Sequence, residues 1–206
     1  MTATSKIIVL ATNNQGKLNE LKTLLSATQL EFRAQNEYQV PEAEETGSTF
    51  IENALIKARN ACKYSGLPSI ADDSGLEVDC LDGAPGVKSS RFAGENATDS
   101  DNLNKLLKAV QKFPAEKRTA RFHCVMTYLR WEKDPAPLIS SCTWEGRITK
   151  TPRGQHGFGY DPIFFLTSHN KTSAELDIEE KNLLSHRGQA LRNLAKQIGN
   201  QILSEK

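Results

Sequence analysis

Apolar and polar positions follow two rhythms along this chain, and the switches between them mark its elements. Residues 6–12, KIIVLAT, are a continuous apolar run closed by polar groups, the pattern of a buried strand. Leu18, Leu21, Leu24 and Leu25 then recur at helical spacing within 16–27. A second helix is predicted over 48–65, with Ser48 or Thr49 as its cap and Phe50, Ala54, Leu55 and Ala58 on its inner face. LPSIADDSGLEVDCLDGAPG reads as two short strands around a turn, ending in a Gly/Pro loop. TDSDNLNKLLKAV reads as a helix whose start, Thr98 with Asp101 three later, has capping-box character. ARFHCVMTYLRW and PLISSCTWEGRIT alternate well enough for a strand pair, joined by a turn at EKDPAP. GFGYDPIFF is a loop running into a strand, and the tail from about Thr172 is helical, broken near 185–188. Strands and helices mix without strict alternation. That predicts an α/β fold, a mixed sheet with helices on its faces, in two lobes.

Composition narrows the function by exclusion. At 206 residues the chain fits one large domain or two closely packed lobes. A formal net charge of +1 leaves no bulk basic field, so a nucleic-acid partner is not expected. The apolar run near the start is too short for a membrane span or a signal-peptide core, so no membrane partner is expected either. Cys62, Cys80, Cys124 and Cys142 are widely spaced with no C-x-x-C, which reads as four reduced, mostly buried thiols in a cytoplasmic protein. No His/Cys cluster has zinc spacing. His123 lies in a strand pattern and reads as structural, while His156 and His169 sit in loops without an assigned role.

The candidate chemistry starts at residues 11–18, which nearly match the phosphate loop G-x-x-x-x-G-K-[ST]. The first glycine is replaced by Ala11 and the metal-binding Ser/Thr by Leu18, which also belongs to the apolar face of the helix. A standard phosphate loop is therefore rejected. Two readings remain: a plain strand-to-helix turn with a surface lysine, or an anion site built from helix N–H groups and Lys17. A triphosphate would then need its metal held elsewhere. Glu42, Glu44 and Glu45 form one acidic stretch, and Asp72 with Asp73 another. Here Ile70 and Ala71 are expected to end a strand, with Asp72, Asp73 and Ser74 at its tip. Adjacent carboxylates repel unless a cation or shared proton relieves them; the bland alternative is an Asx turn closed by Gly75. Thr49, Asn53 and Lys57 share a helix face, either a solvated stripe or a phosphate clamp.

LATNNQGKLNEL, EETGSTFIENALIKA, ADDSGLEVD, GAPGVKSSRFAG, GFGYDPIFF and SHRGQAL stand in this order along the chain. Together they closely resemble the inosine/xanthosine triphosphate pyrophosphatases, in their bacterial branch, over residues 6–200. The resemblance implies an elongated mixed sheet with two lobes and a central cleft, the whole chain forming one two-lobed domain, and a homodimer. It implies Mg²⁺-dependent hydrolysis of the purine nucleoside triphosphates ITP, dITP and XTP to monophosphate and pyrophosphate. By position it assigns Thr12, Asn13, Asn14, Gln15, Gly16 and Lys17 to the triphosphate, with Lys57 beside them. Glu45, Asp72 and Asp73 would bind Mg²⁺, Asp73 would accept the proton of water, and Ser74 would touch substrate. Phe158, Gly159, Tyr160, Asp161, Lys181, His186 and Arg187 would form the base and sugar pocket. Many relatives have T-G-N at Thr12-Asn13-Asn14; Asn is the next-best residue after Gly at positive φ, so the same loop path is expected. The rival readings are a Maf-type nucleotide pyrophosphatase, whose Ser/Arg-rich opening loop TNNQGK does not match, and a non-catalytic nucleotide sensor.

Overall fold

A computed structural model describes the backbone of residues 7–25 and 30–204 and the side chains of 7–21 and 30–200. Lys6 and the side chains of Leu24 and Leu25, used in the sequence reading, lie outside the described residues. The first strand, β1 (Ile7–Leu10), leads through a polar loop into α1 (Gln15–Leu25). Next come β2 (Glu31–Ala34) and α2 (Phe50–Ser65), then β3 (Ser69–Val78) and the two-residue β4 (Pro85–Gly86). They are followed by α3 (Asp99–Val110), β5 (Thr119–Leu129), β6 (Leu138–Ile148), β7 (Phe164–Leu166) and β8 (Lys171–Thr172). The chain closes with α4 (Ile178–Leu184) and α5 (His186–Ser204).

The strands form one eight-stranded sheet in the order β2-β1-β3-β5-β6-β7-β8, with β4 pairing to β3. β1 runs parallel to β2 and β3, while β4 on β3, β7 on β6 and β8 on β7 are antiparallel. The expected mixed sheet is therefore present. Packing divides the chain into two compact units. The first holds Met1–Asp73, Cys124–Ser141 and Gln189–Lys206; the second holds Ser74–His123 and Cys142–Gly188. In the first, Val9, Ala11, Ala58, Ala61, Ala71 and Leu129 share a core. In the second, Leu76, Val78, Leu106, Phe122, Trp144 and Phe164 do.

Local signals set several boundaries. Thr49 caps α2 in a capping box with Glu52, and Thr98 caps α3 in one with Asp101, both near the predicted starts. Ser185 separates α4 from α5, its hydroxyl accepting the N–H of Gly188 at 3.1 Å. Three expectations need correction. β3 is one ten-residue strand that runs straight through Asp72, Asp73 and Ser74, where a turn was predicted. It is buried along nearly its whole length, as a central strand should be, and Asp72 and Asp73 pair with the side chains of Lys17 and Lys57 rather than with turn amides. The helical tail has one more break than expected: after the 3₁₀ turn Ser173–Glu175, which Thr172 caps, the chain is extended at Leu176 and α4 begins only after Asp177. Asn13 is not among the positive-φ residues, so the opening loop needs no glycine-like backbone there; instead its Oδ1 accepts from Gln35 Nε2 at 2.6 Å.

Candidate active site

The first unit gathers a cluster of opposite charges. Asp72 and Asp73 come from β3, Lys17 from the first turn of α1, Lys57 from the middle of α2, and Glu45 from the loop before α2. Lys17 Nζ lies 2.8 Å from Asp72, which is 1% exposed. Lys57 Nζ lies 2.7 Å from Asp73 and 3.0 Å from Glu45. Asn53, one helical turn before Lys57, is fully buried; its Nδ2 faces Asp73 at 3.5 Å and its Oδ1 accepts the Gly47 N–H at 2.8 Å. Gly47 is required by that approach, since a Cβ there would sit 2.6 Å from Asn53 Oδ1. The stripe Thr49, Asn53, Lys57 thus faces inward from Asn53 onward, not to solvent.

Burial and charge compete in this cluster. Burial pushes the Asp73 carboxyl above its ordinary range, against the opposing pull of the Lys57 and Lys17 charges. Burial also acts to strip the Lys57 proton, but the carboxylates of Asp73, Asp72 and Glu45 outweigh it and hold Lys57 above the usual lysine value. Beside the cluster, the β1-to-α1 loop is mostly exposed at Asn13, Asn14 and Gln15. Asn14 caps α1 by accepting the Lys17 N–H at 3.0 Å, and Thr12 Oγ1 accepts the Asn14 N–H at 3.2 Å. The amides of Gln15 and Gly16 open the helix, where its dipole favours an anion. Leu18 is buried, as its place on the apolar face predicts.

The second unit holds an aromatic and cationic cluster. Phe158 is half-buried, with Lys181 Nζ 5.0 Å and the Arg187 guanidinium carbon 5.5 Å from its ring centroid. Lys181 pairs with Asp161 at 2.7 Å. Asp161 also accepts from Ser173 Oγ at 2.9 Å and from the Phe158 N–H at 2.9 Å. Arg187 Nη2 reaches Ser74 Oγ at 3.4 Å. His186 is buried and stacks on Phe122, 4.8 Å between centroids and 8° between planes, with the Trp144 ring 6.2 Å away at 24°. Tyr160 is buried too, its hydroxyl donating to the Ser89 carbonyl at 2.8 Å, and burial pushes its pKa up.

The residues expected at the site divide between the two units. Thr12, Asn13, Asn14, Gln15, Gly16, Lys17, Glu45, Lys57, Asp72 and Asp73 belong to the first unit; Ser74, Phe158, Gly159, Tyr160, Asp161, Lys181, His186 and Arg187 belong to the second. In the second unit Tyr160, Asp161, Lys181, His186 and Arg187 are all buried. Glu42 and Glu44 are exposed. Asn53, which the four-residue repeat at 49, 53 and 57 places on one face with Lys57, joins the charged cluster, while Gln35, which holds Asn13, carries no local signal in the sequence.

Comparison with known proteins places the chain in a family. A model of the Ham1 family matches residues 8–197. A dITP/XTP pyrophosphatase of Vibrio cholerae is 57% identical over 95% of this chain and 98% of its own length. One from Escherichia coli O157:H7 is 58% identical over 91% of this chain and 95% of its own. Among solved structures, a HAM1 protein from Coxiella burnetii aligns with a TM-score of 0.88 at 53% identity, covering 94% of this chain and 98% of that one.

Proposed function

Because the chain belongs to the Ham1 family, we propose that it hydrolyses ITP, dITP and XTP at the α–β phosphoanhydride, releasing the monophosphate and pyrophosphate. It is, on this reading, a nucleoside triphosphate pyrophosphatase that removes non-canonical purines from the nucleotide pool. The observation that carries the reading is the buried pairing of Lys17 with Asp72 and of Lys57 with Asp73, beside an exposed helix N-terminus. Two ammonium groups and a helix end suit a polyanion. The same resemblance supports a homodimer in the cytoplasm. No helix among the described residues is long and apolar enough to cross a membrane.

The donor set also fits Mg²⁺. Glu45, Asp72 and Asp73 carry three formal negative charges against the two positive charges of Lys17 and Lys57, leaving one in excess. All are hard oxygen donors. Among the described residues no three carboxylate, imidazole or thiol groups form a ready-made metal cage. Mg²⁺ does not need one, because it keeps waters and is commonly held by one or two carboxylates together with substrate phosphates. Glu45, Asp72 and Asp73 would hold it, and when bound it supplies Lewis-acid polarisation of phosphoryl oxygens.

The chain's own residues perform the rest. Asp73 accepts the proton of the attacking water from its place beside the Lys57 ammonium. Lys17 and Lys57 neutralise the β- and γ-phosphates, whose negative charge rises as the anhydride breaks. The opening loop holds phosphate oxygens through the N–H groups at the start of α1. Phe158 stacks on the purine face. Arg187 and His186 donate toward a 6-oxo acceptor, which hypoxanthine and xanthine present and adenine does not. Opposite a 6-amino donor those groups stay unpaired, at about 1–3 kcal/mol for each buried one. Guanine shares the 6-oxo group, so its rejection rests on the 2-amino donor.

A substrate panel tests the proposal. Pyrophosphate release in Mg²⁺ should be efficient from dITP and XTP and weak from dATP and dGTP. Preference for dUTP or dTTP would favour a Maf-type enzyme, and tight ITP binding without turnover would favour a sensor; either result removes the proposal.

A further inference from the structure

The loop carrying Phe158 has little to hold it in shape by itself. It lies between two glycines at positive φ, Gly157 at +79° and Gly159 at +61°. Glycine loses more conformational freedom on ordering than any other residue, so such a loop needs external ties. Asp161 supplies one from within, accepting the Phe158 N–H; Gly157 leaves room for it, since a Cβ there would lie 2.1 Å from Asp161 Oδ2. The second tie comes from a different element. Asp99, the first residue of α3, accepts the Gly159 N–H at 2.8 Å across 60 positions of sequence.

We propose that Asp99 is a positioning residue for purine recognition, fixing the Phe158 loop to the N-terminus of α3. The proposal rests on the reading that Phe158 faces the base. The anchor itself is firm. Thr98 and Asp101 close a capping box at 3.2 and 2.9 Å. Asn102, buried, donates to the Ser90 carbonyl at 3.0 Å and accepts from the Ala93 N–H at 2.7 Å. Leu103, Leu106 and Val110 of the same helix are in the core. An acid in the first turn of a helix also favours the helix dipole, which is a purely structural role. What exceeds that role is the direction of the bond: a charged acceptor spent on the amide next to Phe158, not on the helix's own N–H groups.

Four variants separate these roles, with dITP hydrolysis and amide exchange at Gly159 as readouts. Asp99→Ala should raise the KM for dITP about three- to tenfold with kcat within about twofold, the range for a partly exposed charged hydrogen bond. It should also speed exchange of the Gly159 amide. Asp99→Asn, which keeps an acceptor oxygen, should recover most of both. Asp101→Ala, which breaks the capping box of the same helix, should lower the Tm and leave KM unchanged. Phe158→Ala should raise KM on its own account. A wild-type KM and normal Gly159 protection in Asp99→Ala, with KM raised in Phe158→Ala, overturns the positioning role alone. An equal rise in KM from Asp101→Ala also overturns it, by assigning the effect to helix stability. An unchanged KM in Phe158→Ala removes the purine-stacking reading and this proposal with it.

Discussion

Lys57 and Asp73 show how neighbours govern a buried charge. Lys57 has 15% of its side chain exposed, and burial alone would lower its pKa; three carboxylates reverse the direction. Asp73 feels the opposite balance, with desolvation outweighing two lysines. The pair thus sets a carboxyl pushed up by burial against a lysine held in its charged form. Asp73→Asn should reduce kcat on the order of 10²–10⁴-fold, the scale of losing a general base, while ITP still binds. Calorimetric titration alongside single-turnover kinetics measures both; turnover near wild type would remove Asp73 from the base role. Much of this was legible in the sequence. Gly16 and Lys17 after a strand, and two adjacent aspartates, pointed to phosphate and cation chemistry. What was hidden was partnership: no local pattern pairs Lys17 with Asp72, 55 positions away, and the inward turn of Asn53 depends on a strand that α2 meets only in the fold.

At the scale of elements, helix starts were readable because capping is local chemistry. Thr49 with Glu52 and Thr98 with Asp101 each lie within one turn. β3 was misread for the opposite reason. D-D-S-G has the composition of a turn, and only distant lysines let it remain a buried strand. The hairpin between β5 and β6 was legible as a turn, but its lock was not. There the buried Asp134 accepts from the Arg130 guanidinium at 2.6 and 2.9 Å and from the N–H groups of Arg130 and Ala136. The Arg130 contact is the main cause that lowers the Asp134 pKa to about 2 from the usual 3.8. A depressed folded-state value adds stability above the unfolded pKa, which is lost as pH falls through the folded one. At 1.36 kcal/mol per unit, Asp134→Asn should cost on the order of 2 kcal/mol at pH 7. Urea unfolding should show that difference steady down to about pH 4 and narrowing below it. A difference independent of pH would show that the charge does not matter.

For the whole molecule, chain order and fold diverge. Each compact unit is assembled from stretches far apart in sequence, and the boundary falls inside β3, between Asp73 and Ser74. The strand therefore delivers Asp72 and Asp73 to the charged cluster and Ser74 to the cluster of Phe158 and Arg187. The mix of strands and helices without strict alternation predicted a mixed sheet correctly, since periodicity reports burial of one face. It could not give the strand order, which long-range pairing decides. The family, by contrast, was legible from motifs spread over nearly the entire length, and the Ham1 family model matches residues 8–197.

On the proposed function, this charged cluster directs water to the α-phosphorus of a deaminated purine nucleotide. Turnover of dITP in ¹⁸O-enriched water with Mg²⁺, followed by mass spectrometry of both products, tests it most directly. The account predicts one ¹⁸O atom in dIMP and none in pyrophosphate. Label in pyrophosphate, or release of dIDP and inorganic phosphate instead, would contradict it.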